Sequence, residues 1–562
     1  MNDGLKSDEE NVEVLDENPN GVTNGSVAKE NVVEATGDLN NNSVDNKQGD
    51  NNKKKGNKKP ILIAIIVVLV LAIVGVCGYM VYTRYFVEEK STTVKSAVKK
   101  SQYRLSGNGL EDFDLRFLQL ENEAKNKIYS PLSIKYALAM LQEGASGDTK
   151  EQITNLIGDY KPKAYPNSDH MSFANAMFIR NTFKDQVREE YTKNLKDKYN
   201  AEVILDEFSS PDNINNWVSD KTFKLINNLI DDVSDSNFFL INALAIDMNW
   251  NNQLQCKEGR TIPCMPYFVK YQHEKYTDSV REIYDNFEKV KFNGKDVDAA
   301  VIGASINKYD IIKELGEDNI RKTVGAELQA YIDKGGEMCG ETYESWMDNY
   351  IKTLGANYKS VDQSTDFYLT ESDDVKVFAK DLKEYDGITL QYVGIMPKKV
   401  ELDEYVKNID SKNINELING LKNISFDNFK DGVVTKIHGN IPFFKYEYSL
   451  PLLKDLKKMG INNIFDINKS DLSNMITGEK QYIDKAVHKA NIEFSNDGIK
   501  AAAATAFGGS GAVGCYIDFD HEYEVPIEEI DLTFDKPYMY IIRDKATGEV
   551  WFTGTVYDPV IE

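Results

Sequence analysis

A run of small residues near the C-terminus is the part of this sequence whose residue types most constrain a chemical role. Because alanine is the best helix former, the run could be an ordinary helix or a low-complexity stretch. Small side chains can also enter a packed sheet without clashes, and a glycine in front of them supplies a backbone pivot. The segment, here called the hinge, consists of Gly498, Ile499, Lys500, Ala501, Ala502, Ala503, Ala504, Thr505 and Ala506.

Enzymatic chemistry finds no support elsewhere in the sequence. The chain has no GxSxG, HExxH or CxxC motif and no phosphate-binding loop, and its 5 histidines lack the spacing of metal ligands. The formal net charge of -24 disfavours nucleic-acid binding, since phosphate would be repelled. We therefore expect no catalytic residue, no metal, no cofactor and no nucleic-acid partner.

The N-terminal part of the chain predicts a membrane anchor. Residues 1–59 are polar and too poor in apolar residues to fold, so we expect a disordered tail. Residues 61–83 carry no charge, and as a helix they can cross a hydrocarbon core of about 30 Å. A buried core helix or a cleaved signal peptide fits this length and position less well. The predicted boundaries are a tail at 1–59, a transmembrane helix at 60–84, a linker at 85–106 and a folded domain at 107–562.

The charges beside the apolar span predict its orientation. The residues just before it include Lys53, Lys54, Lys55, Lys58 and Lys59. By the positive-inside rule the N-terminus lies in the cytoplasm, and the folded domain lies outside the cell. Together with the Asn- and Lys-rich tail, this arrangement indicates a protein of a bacterial cell membrane, of the low-GC Gram-positive kind.

The hydrophobic pattern after residue 107 predicts a mixed α+β domain. Helical periodicity dominates residues 110–230, and strand-like runs begin at 238–249. Two final apolar runs, 538–543 and 549–556, flank a short turn that contains glycine, which predicts a β-hairpin.

Several short blocks occur in a fixed order through this domain. They are Ile128-Tyr129-Ser130-Pro131-Leu132, Leu240-Ile241-Asn242-Ala243-Leu244 with Trp250 after it, Gly394-Ile395-Met396-Pro397, Val487-His488-Lys489-Ala490, the hinge, and Lys536-Pro537-Tyr538. Any one block alone would be weak evidence. Their order over the whole span from about 107 to 562 resembles the serpin family of serine protease inhibitors.

The resemblance implies a fold, a mechanism and a partner. The implied fold is α+β, with three β-sheets, about eight or nine helices and an exposed reactive-centre loop. A target serine protease, or a cysteine protease, cleaves the loop and forms its usual acyl-enzyme. The hinge then inserts into the central sheet, and the protease is trapped before deacylation. The implied inhibitor is a monomer. Because the family includes non-inhibitory members, a cell-surface binding module is the alternative.

Two counts along the family's pattern place the reactive bond differently. The usual spacing from Gly498 places it between Ala512 and Val513, whereas counting back from Lys536-Pro537 places it near Pro526, 14 residues later. We prefer the first count because the length of the hinge sets how deeply the loop inserts.

The residues around the predicted bond limit the class of target protease. Ala512 suits an elastase-like or subtilisin-like protease, and Tyr516 and Phe519 are chymotrypsin-like alternatives. No Lys or Arg occurs between residues 501 and 535, so a trypsin-like target is excluded.

The hinge departs from the family's pattern in three places. Asn496 and Asp497 stand where a pair of glutamates is usual, Ile499 stands where a small hydroxyl residue is usual, and Phe507 is bulky. These residues put the rate of insertion in question.

The chain has many more residues between 253 and 365 than the resemblance requires. This insertion contains helix-like stretches at 311–334 and 342–353, together with Cys256, Cys264 and Cys339. A disulfide between Cys256 and Cys264 and a pair of free thiols are equally open. We expect a small surface subdomain that contacts a partner or the cell wall.

Overall fold

The described part of the molecule, a computed structural model, comprises residues 109–158, 160–252, 254–257, 290–363, 366–499, 517, 519, 521 and 523–559. The chain divides into two units, 1–94 and 95–562, and every described residue belongs to the second. The predicted tail, membrane span and linker lie outside the described residues, as do hinge residues 500–506 and the Ala512–Val513 bond. None of the helices within the described ranges combines the length and apolar character that crossing a membrane requires.

Local sequence signals account for both ends of the long second helix. Ser130 Oγ accepts a hydrogen bond from the backbone N–H of Ser133 at 3.0 Å, and Pro131 takes the first helical position. Gly144 ends the helix where a Cβ would lie 2.7 Å from the Cβ of Met475. The helices are α1 Asp112–Leu120, α2 Pro131–Gly144, α3 Gly147–Ile157, α4 Glu189–Tyr199, α5 Asp212–Lys221, α6 Ile311–Leu315, α7 Glu317–Asp333, α8 Tyr343–Asn357, α9 Leu402–Asn408, α10 Ser411–Asn419 and α11 Leu452–Lys458.

The strands form several sheets around one main hydrophobic core. They are β1 Lys127–Tyr129, β2 Met171–Arg180, β3 Glu202–Asp206, β4 Phe238–Ile246, β5 Met248–Asn249, β6 Gln255–Lys257, β7 Val290–Phe292, β8 Lys295–Val297, β9 Ala299–Asn307, β10 Ser360–Gln363, β11 Tyr368–Thr370, β12 Val375–Asp381, β13 Leu390–Pro397, β14 Lys422–Asn423, β15 Val434–Pro442, β16 Phe444–Leu450, β17 His488–Phe494, β18 Gly498–Ile499, β19 Ile527–Asp531, β20 Tyr538–Asp544 and β21 Val550–Val556.

Two of the sheets enclose the core on either side of α2. A seven-stranded sheet has the order β1-β21-β20-β13-β12-β11-β14. Opposite it, a central sheet is divided into a three-stranded half, β3-β2-β4, and a four-stranded half, β16-β17-β18-β5. Helix α2 packs against β4 of the one and β21 of the other. This layered arrangement of sheets and helices confirms the predicted α+β class.

The last part of the chain folds as its sequence pattern predicts, and the first part only in part. β20 and β21 form the predicted antiparallel hairpin. Within residues 110–230, however, β1, β2 and β3 interrupt the helices. The helical interpretation is wrong for Met171–Arg180, because β2 is buried on both faces and its nearly continuous apolar run has no period-2 alternation.

The region predicted as an insertion contributes both to a sheet and to a helical group. β6 and β9 belong to a five-stranded sheet with the order β10-β9-β15-β19, in which β6 pairs with β9. Helices α6, α7 and α8 lie between β9 and β10. The stretch predicted as one helix at 311–334 is broken at Gly316, whose φ of 80° leaves the helical region. The other predicted helix begins at Thr342, whose Oγ1 accepts from the N–H of Ser345 at 3.2 Å.

One cysteine of the insertion is oxidised. Cys339, between α7 and α8, is disulfide-bonded. The side chains of Cys256 and Cys264, considered above as a pair, lie outside the described residues, as does Cys515.

Candidate strand-insertion site

A gap separates β4 from β17 in the middle of the central sheet. Among the described strands β4 pairs with β2, and β17 pairs with β16 and, at one residue, with β18. The facing edges of β4 and β17 therefore carry backbone N–H and C=O groups that no described ladder uses. We call this gap the slot.

Two cavities follow the slot along its length. The larger has a volume of about 200 Å³ and lies between residues 238–244 and residues 481–490, above apolar side chains of α2. The smaller, of about 20 Å³, continues between residues 244–246 and 491–493 as far as Ile499. The slot is therefore a groove with an apolar floor, bounded by two strand edges and closed at one end by the hinge.

The first two hinge residues form the upper end of the slot. Gly498 and Ile499 make up β18, which lies between β5 and β17 and runs antiparallel to both. Ile499 is opposite Met248 on one side and Phe494 on the other, and it is 2% exposed. From Gly498 to Ile499 the pairing moves toward β4, so β18 points into the slot.

Gly498 is required by close packing rather than by an unusual backbone angle. Its φ is not among the positive values of the described glycines. A Cβ at this position would lie 2.2 Å from the carbonyl oxygen of Met248 and 2.6 Å from the Cα of Asn249. The pivot expected from the sequence is thus, in this state, a point where two backbones touch.

Trp250 fastens the turn that carries the chain from β17 into β18. Its indole N–H donates to the carbonyl of Ser495 at 2.9 Å, and its backbone N–H donates to the carbonyl of Asp497 at 2.8 Å. The Trp250 ring also packs against Phe494, with the ring centroids 5.3 Å apart. Asn496 is the first of the two residues that stand in place of the usual glutamate pair. Its backbone carbonyl accepts a hydrogen bond from the N–H of Leu254 at 2.8 Å. These contacts fix the position at which the hinge meets the sheet.

A buried histidine connects the lower part of the slot to the start of α2. The Nε2 of His488 accepts a hydrogen bond from the backbone N–H of Ser130 at 2.9 Å. The neutral ring therefore carries its proton on Nδ1. Burial lowers the pKa of His488 to about 4, so the ring is uncharged at neutral pH.

Two asparagines of the slot have side-chain oxygens that lack a hydrogen-bond partner among the described residues. Asn242 donates through Nδ2 to Asn175 at 2.7 Å, but its Oδ1 is buried and unpaired. Asn491 Oδ1 is likewise buried and lacks a hydrogen-bond partner among the described residues. A buried acceptor without a donor costs roughly 1–3 kcal/mol, so these oxygens favour a further donor in the slot.

Polar contacts join the two halves of the sheet at the other end of the slot. Asn237 Nδ2 donates to Gln481 at 2.9 Å, and Lys485 lies 2.8 Å from a carboxylate oxygen of Asp232. The ammonium group of Lys485 helps to hold the pKa of Asp232 well below its usual range. Because the Lys485–Asp232 pair is largely accessible to solvent, it aligns the two halves more than it stabilises them.

The structure brings together some of the predicted site residues and leaves others untested. Gly498 and Ile499 lie at the top of the slot, whereas Lys500, Ala501, Ala502, Ala503, Ala504, Thr505, Ala506, Ala512 and Val513 lie outside the described residues. Sequence reasoning did not identify Asn491 or the slot itself, because facing strand edges depend on long-range pairing. The Leu240–Leu244 and Val487–Ala490 blocks were the available signal, since they form the two sides of the slot.

These sheets and helices define an α+β protein whose central sheet is divided among the described strands, with the first two hinge residues paired between β5 and β17. A family model described as "Serpin (serine protease inhibitor)" matches residues 110–277 and 357–559, which is more than half of the chain. The chain therefore belongs to the serpin family.

Individual relatives agree with this assignment at low identity. An uncharacterized serpin-like protein of Methanosarcina acetivorans is 23% identical over 81% of this chain and 88% of that protein. Leukocyte elastase inhibitor A of Mus musculus is 31% identical over 31% of this chain and 42% of that protein. The solved structure of the thermophilic serpin tengpin in its native state has a TM-score of 0.51 and 19% identity, covering 80% of this chain and 93% of that one. The structural likeness at this identity concerns the fold alone.

Replacing Gly498 by alanine should weaken the upper end of the slot. The added methyl group would overlap the Met248 carbonyl, and the backbone shifts that accommodate such overpacking typically cost about 1–3 kcal/mol. We expect Gly498→Ala to lower the urea midpoint accordingly. Gly355→Ala is the matched control. Gly355 lies within α8, and a Cβ there would meet only Ile312, at 3.5 Å, so the substitution should be neutral or slightly stabilising. Equal midpoints for Gly498→Ala and wild type would contradict the close approach.

The free energy of unfolding should decrease as the pH is lowered, because His488 is buried in its neutral form. An unfolded histidine takes up a proton near pH 6.5, whereas the folded one does so only near pH 4. The unfolded state thus binds more protons between these values. The stabilisation that comes from neutral His488 is complete above pH 6.5 and is lost as the pH falls to 4. The difference corresponds to about 3 kcal/mol.

Chemical denaturation at a series of pH values measures this effect. His488→Asn should show a flatter dependence between pH 4 and 6.5 than wild type. His438→Asn, which removes a histidine whose side chain is 58% exposed, should retain the wild-type dependence. Parallel curves for wild type and His488→Asn would refute the assignment.

Proposed function

We propose that this serpin is a suicide-substrate inhibitor of serine endopeptidases, which traps its target when the hinge enters the slot. The observation that carries the proposal is the position of β18, paired with β5 on one side and β17 on the other. The nucleophile belongs to the protease, and it forms an ester with the carbonyl of the cleaved bond while the new amine leaves. Insertion then draws the protease away before water can hydrolyse that ester. The inhibitor needs no catalytic residue or cofactor of its own.

The register of β18 supplies an expected partner for each following hinge residue. Each step along the hinge moves one residue back along β4 and one residue back along β17. In this register Ala503 would lie between Leu244 and Ala490, on the buried side of the sheet with Ile499. A small side chain is favoured there, because both neighbours are buried and the space between the strands is narrow.

The same register would bring the polar residue of the hinge to the polar part of the slot. Thr505 would lie between Asn242 and His488. Its hydroxyl could then donate to Asn242 Oδ1, the buried acceptor that lacks a partner among the described residues. The position of threonine within an alanine run thus has a physical reason in this mechanism.

The target is proposed to be an elastase-like or subtilisin-like serine protease. The small side chain of Ala512 fits a small apolar specificity pocket, and the absence of Lys and Arg between residues 501 and 535 argues against a trypsin-like enzyme. The partial match to leukocyte elastase inhibitor A of Mus musculus supports the same class.

The proposal predicts an SDS-stable complex between the full chain and pancreatic elastase. Incubation at equimolar amounts, followed by a denaturing gel, should give a band at the summed mass together with a released C-terminal peptide that begins at Val513. Loop-cleaved protein should also melt well above intact protein, because insertion completes the central sheet. Quantitative cleavage without any complex, for elastase and subtilisin alike, would sink the inhibitor proposal and favour the non-inhibitory binding module.

Two glutamine variants separate insertion from mere cleavage. Ala503→Gln would bury an amide between Leu244 and Ala490, at a cost of about 1–3 kcal/mol or roughly tenfold in the insertion rate, so cleaved product should replace complex. Lys500→Gln places the same side chain on the opposite, outward side and should inhibit like wild type. Identical yields of complex from the two variants would contradict the proposed register.

We further propose that residues 61–83 anchor the protein in a bacterial cell membrane with the serpin domain outside. The uncharged span and the lysines before it support this topology. The disulfide at Cys339 also supports it, since such bonds persist mainly in oxidising compartments.

Protease added to intact cells tests this topology. Proteinase K should remove the serpin domain from cells that express the full chain and leave a short membrane-bound N-terminal fragment. A cytoplasmic protein of the same cells serves as the control for lysis and should remain intact. Protection of the serpin domain until the cells are broken would overturn the proposed location.

A further inference from the structure

The helical part of the insertion has a hydrophobic cluster of its own. Helices α7 and α8 pack together through buried side chains that are separate from the main core. The buried members of the cluster are Ile320, Val324, Leu328, Met347 and Ile351. Two residues from a distant part of the chain, Phe519 and Tyr523, also pack against it. We call Phe519, His521 and residues 523–526 the distal flank, because they follow the predicted reactive bond.

An aromatic group holds the first residue of the distal flank. The ring centroid of Phe519 lies 5.3 Å from that of Trp346, nearly perpendicular to it, and 5.9 Å from that of Tyr331. Trp346 in turn stacks on Tyr350 with a centroid distance of 4.9 Å. Edge-to-face pairs of this kind contribute about 0.5–1.5 kcal/mol beyond the area they bury.

Two polar contacts hold the next residues of the flank. His521 Nδ1 lies 2.6 Å from a carboxylate oxygen of Glu327 on α7. The hydroxyl groups of Tyr350 and Tyr523 are 3.1 Å apart, and burial raises the pKa of Tyr523, so its hydroxyl keeps its proton. Aromatic, imidazole–carboxylate and hydroxyl contacts thus follow one another along the flank, and α7 and α8 supply the partner of each.

The flank then joins the body of the protein directly. The carbonyl of Pro526 accepts the backbone N–H of Val434 at 2.8 Å, and β19 begins at the next residue beside β15. The 14 residues by which the two counts of the reactive bond disagree are 513–526. The extra length of the loop therefore includes the very residues that the extra helices bind.

We propose that α7 and α8 are a receptor for the distal flank that withholds its aromatic residues from proteases and confines cleavage to the chain before residue 517. This inference rests on the proposed function for the identity of the reactive loop. A chymotrypsin-like enzyme must take an aromatic ring into its specificity pocket. Phe519 cannot enter such a pocket while its ring packs against Trp346 and Tyr331. The insertion thereby removes Phe519 from the sites that a chymotrypsin-like enzyme could use.

Chymotrypsin cleavage of the full chain tests the receptor. Wild type should resist cleavage after Phe519 and Tyr523, as measured by sequencing the new N-termini over time. Trp346→Ala removes the contact with Phe519 and should raise the rate of cleavage there about tenfold or more, because proteolysis follows the population of the released segment. Trp346→Phe keeps an aromatic ring and should stay close to wild type.

A pair of charge variants guards against unfolding of the insertion. Glu327→Gln removes the carboxylate that contacts His521 Nδ1 and should increase cleavage after Phe519 by a few-fold. Glu317→Gln, on the same helix, loses only the 2.8 Å pair with Arg321 and should leave the rate unchanged. Cleavage of wild type after Phe519 as fast as that of Trp346→Ala, or equal rates for the two glutamate variants, would overturn the proposal.

The outcome can be told apart from that of the inhibitor proposal. Protection of Phe519 is measured without elastase, and the SDS-stable complex is measured without chymotrypsin. A protected flank in a protein that forms no complex would refute inhibition while supporting the receptor. An unprotected flank in a protein that traps elastase would do the reverse.

Discussion

Among the described strands, the edges of β4 and β17 face each other across the slot without pairing, and the rest of the site depends on this constraint. A buried polar group without a hydrogen bond costs roughly 1–3 kcal/mol, and among the described residues the slot holds two such acceptors, Asn242 Oδ1 and Asn491 Oδ1. A sheet in this condition gains free energy from any extended segment that can supply a matching edge. The segment nearest to it in the chain is the hinge.

The polar side chains of the slot define what such a segment should look like. Asn242 and Asn491 offer acceptors, and His488 is already engaged with Ser130 and held neutral by burial. An entirely apolar strand would leave the two acceptors unmatched. A strand that is too polar would bury donors against Leu244 and Ala490. The alanine run with a single threonine lies between these limits, since in the proposed register Thr505 would reach Asn242.

Local patterns in the sequence predicted what depends on neighbouring residues. The β20–β21 hairpin was predicted from such a pattern, and the structure confirms it. The start of α2 at Ser130-Pro131 has a local signal of the same kind. The same reasoning did not identify β2, because a strand that is buried on both faces has no alternation of apolar and polar residues. The slot, the hydrogen bond between Ser130 and His488, and the contact between Trp346 and Phe519 join residues far apart in sequence. No local pattern encodes such contacts, although the ordered blocks located both sides of the slot and the hinge.

The two-residue strand β18 also has a kinetic meaning. The slowest part of forming a β-ladder is bringing its first residues together, because chain entropy is lost before compensating contacts form. In the proposed mechanism this first step precedes cleavage, since Ile499 already pairs with Met248 on one side and Phe494 on the other. The later hinge residues would then need only to extend an existing ladder, one residue at a time. Under the proposed mechanism an isoleucine at this position, bulky for a hinge, would serve as a nucleus that is already in place.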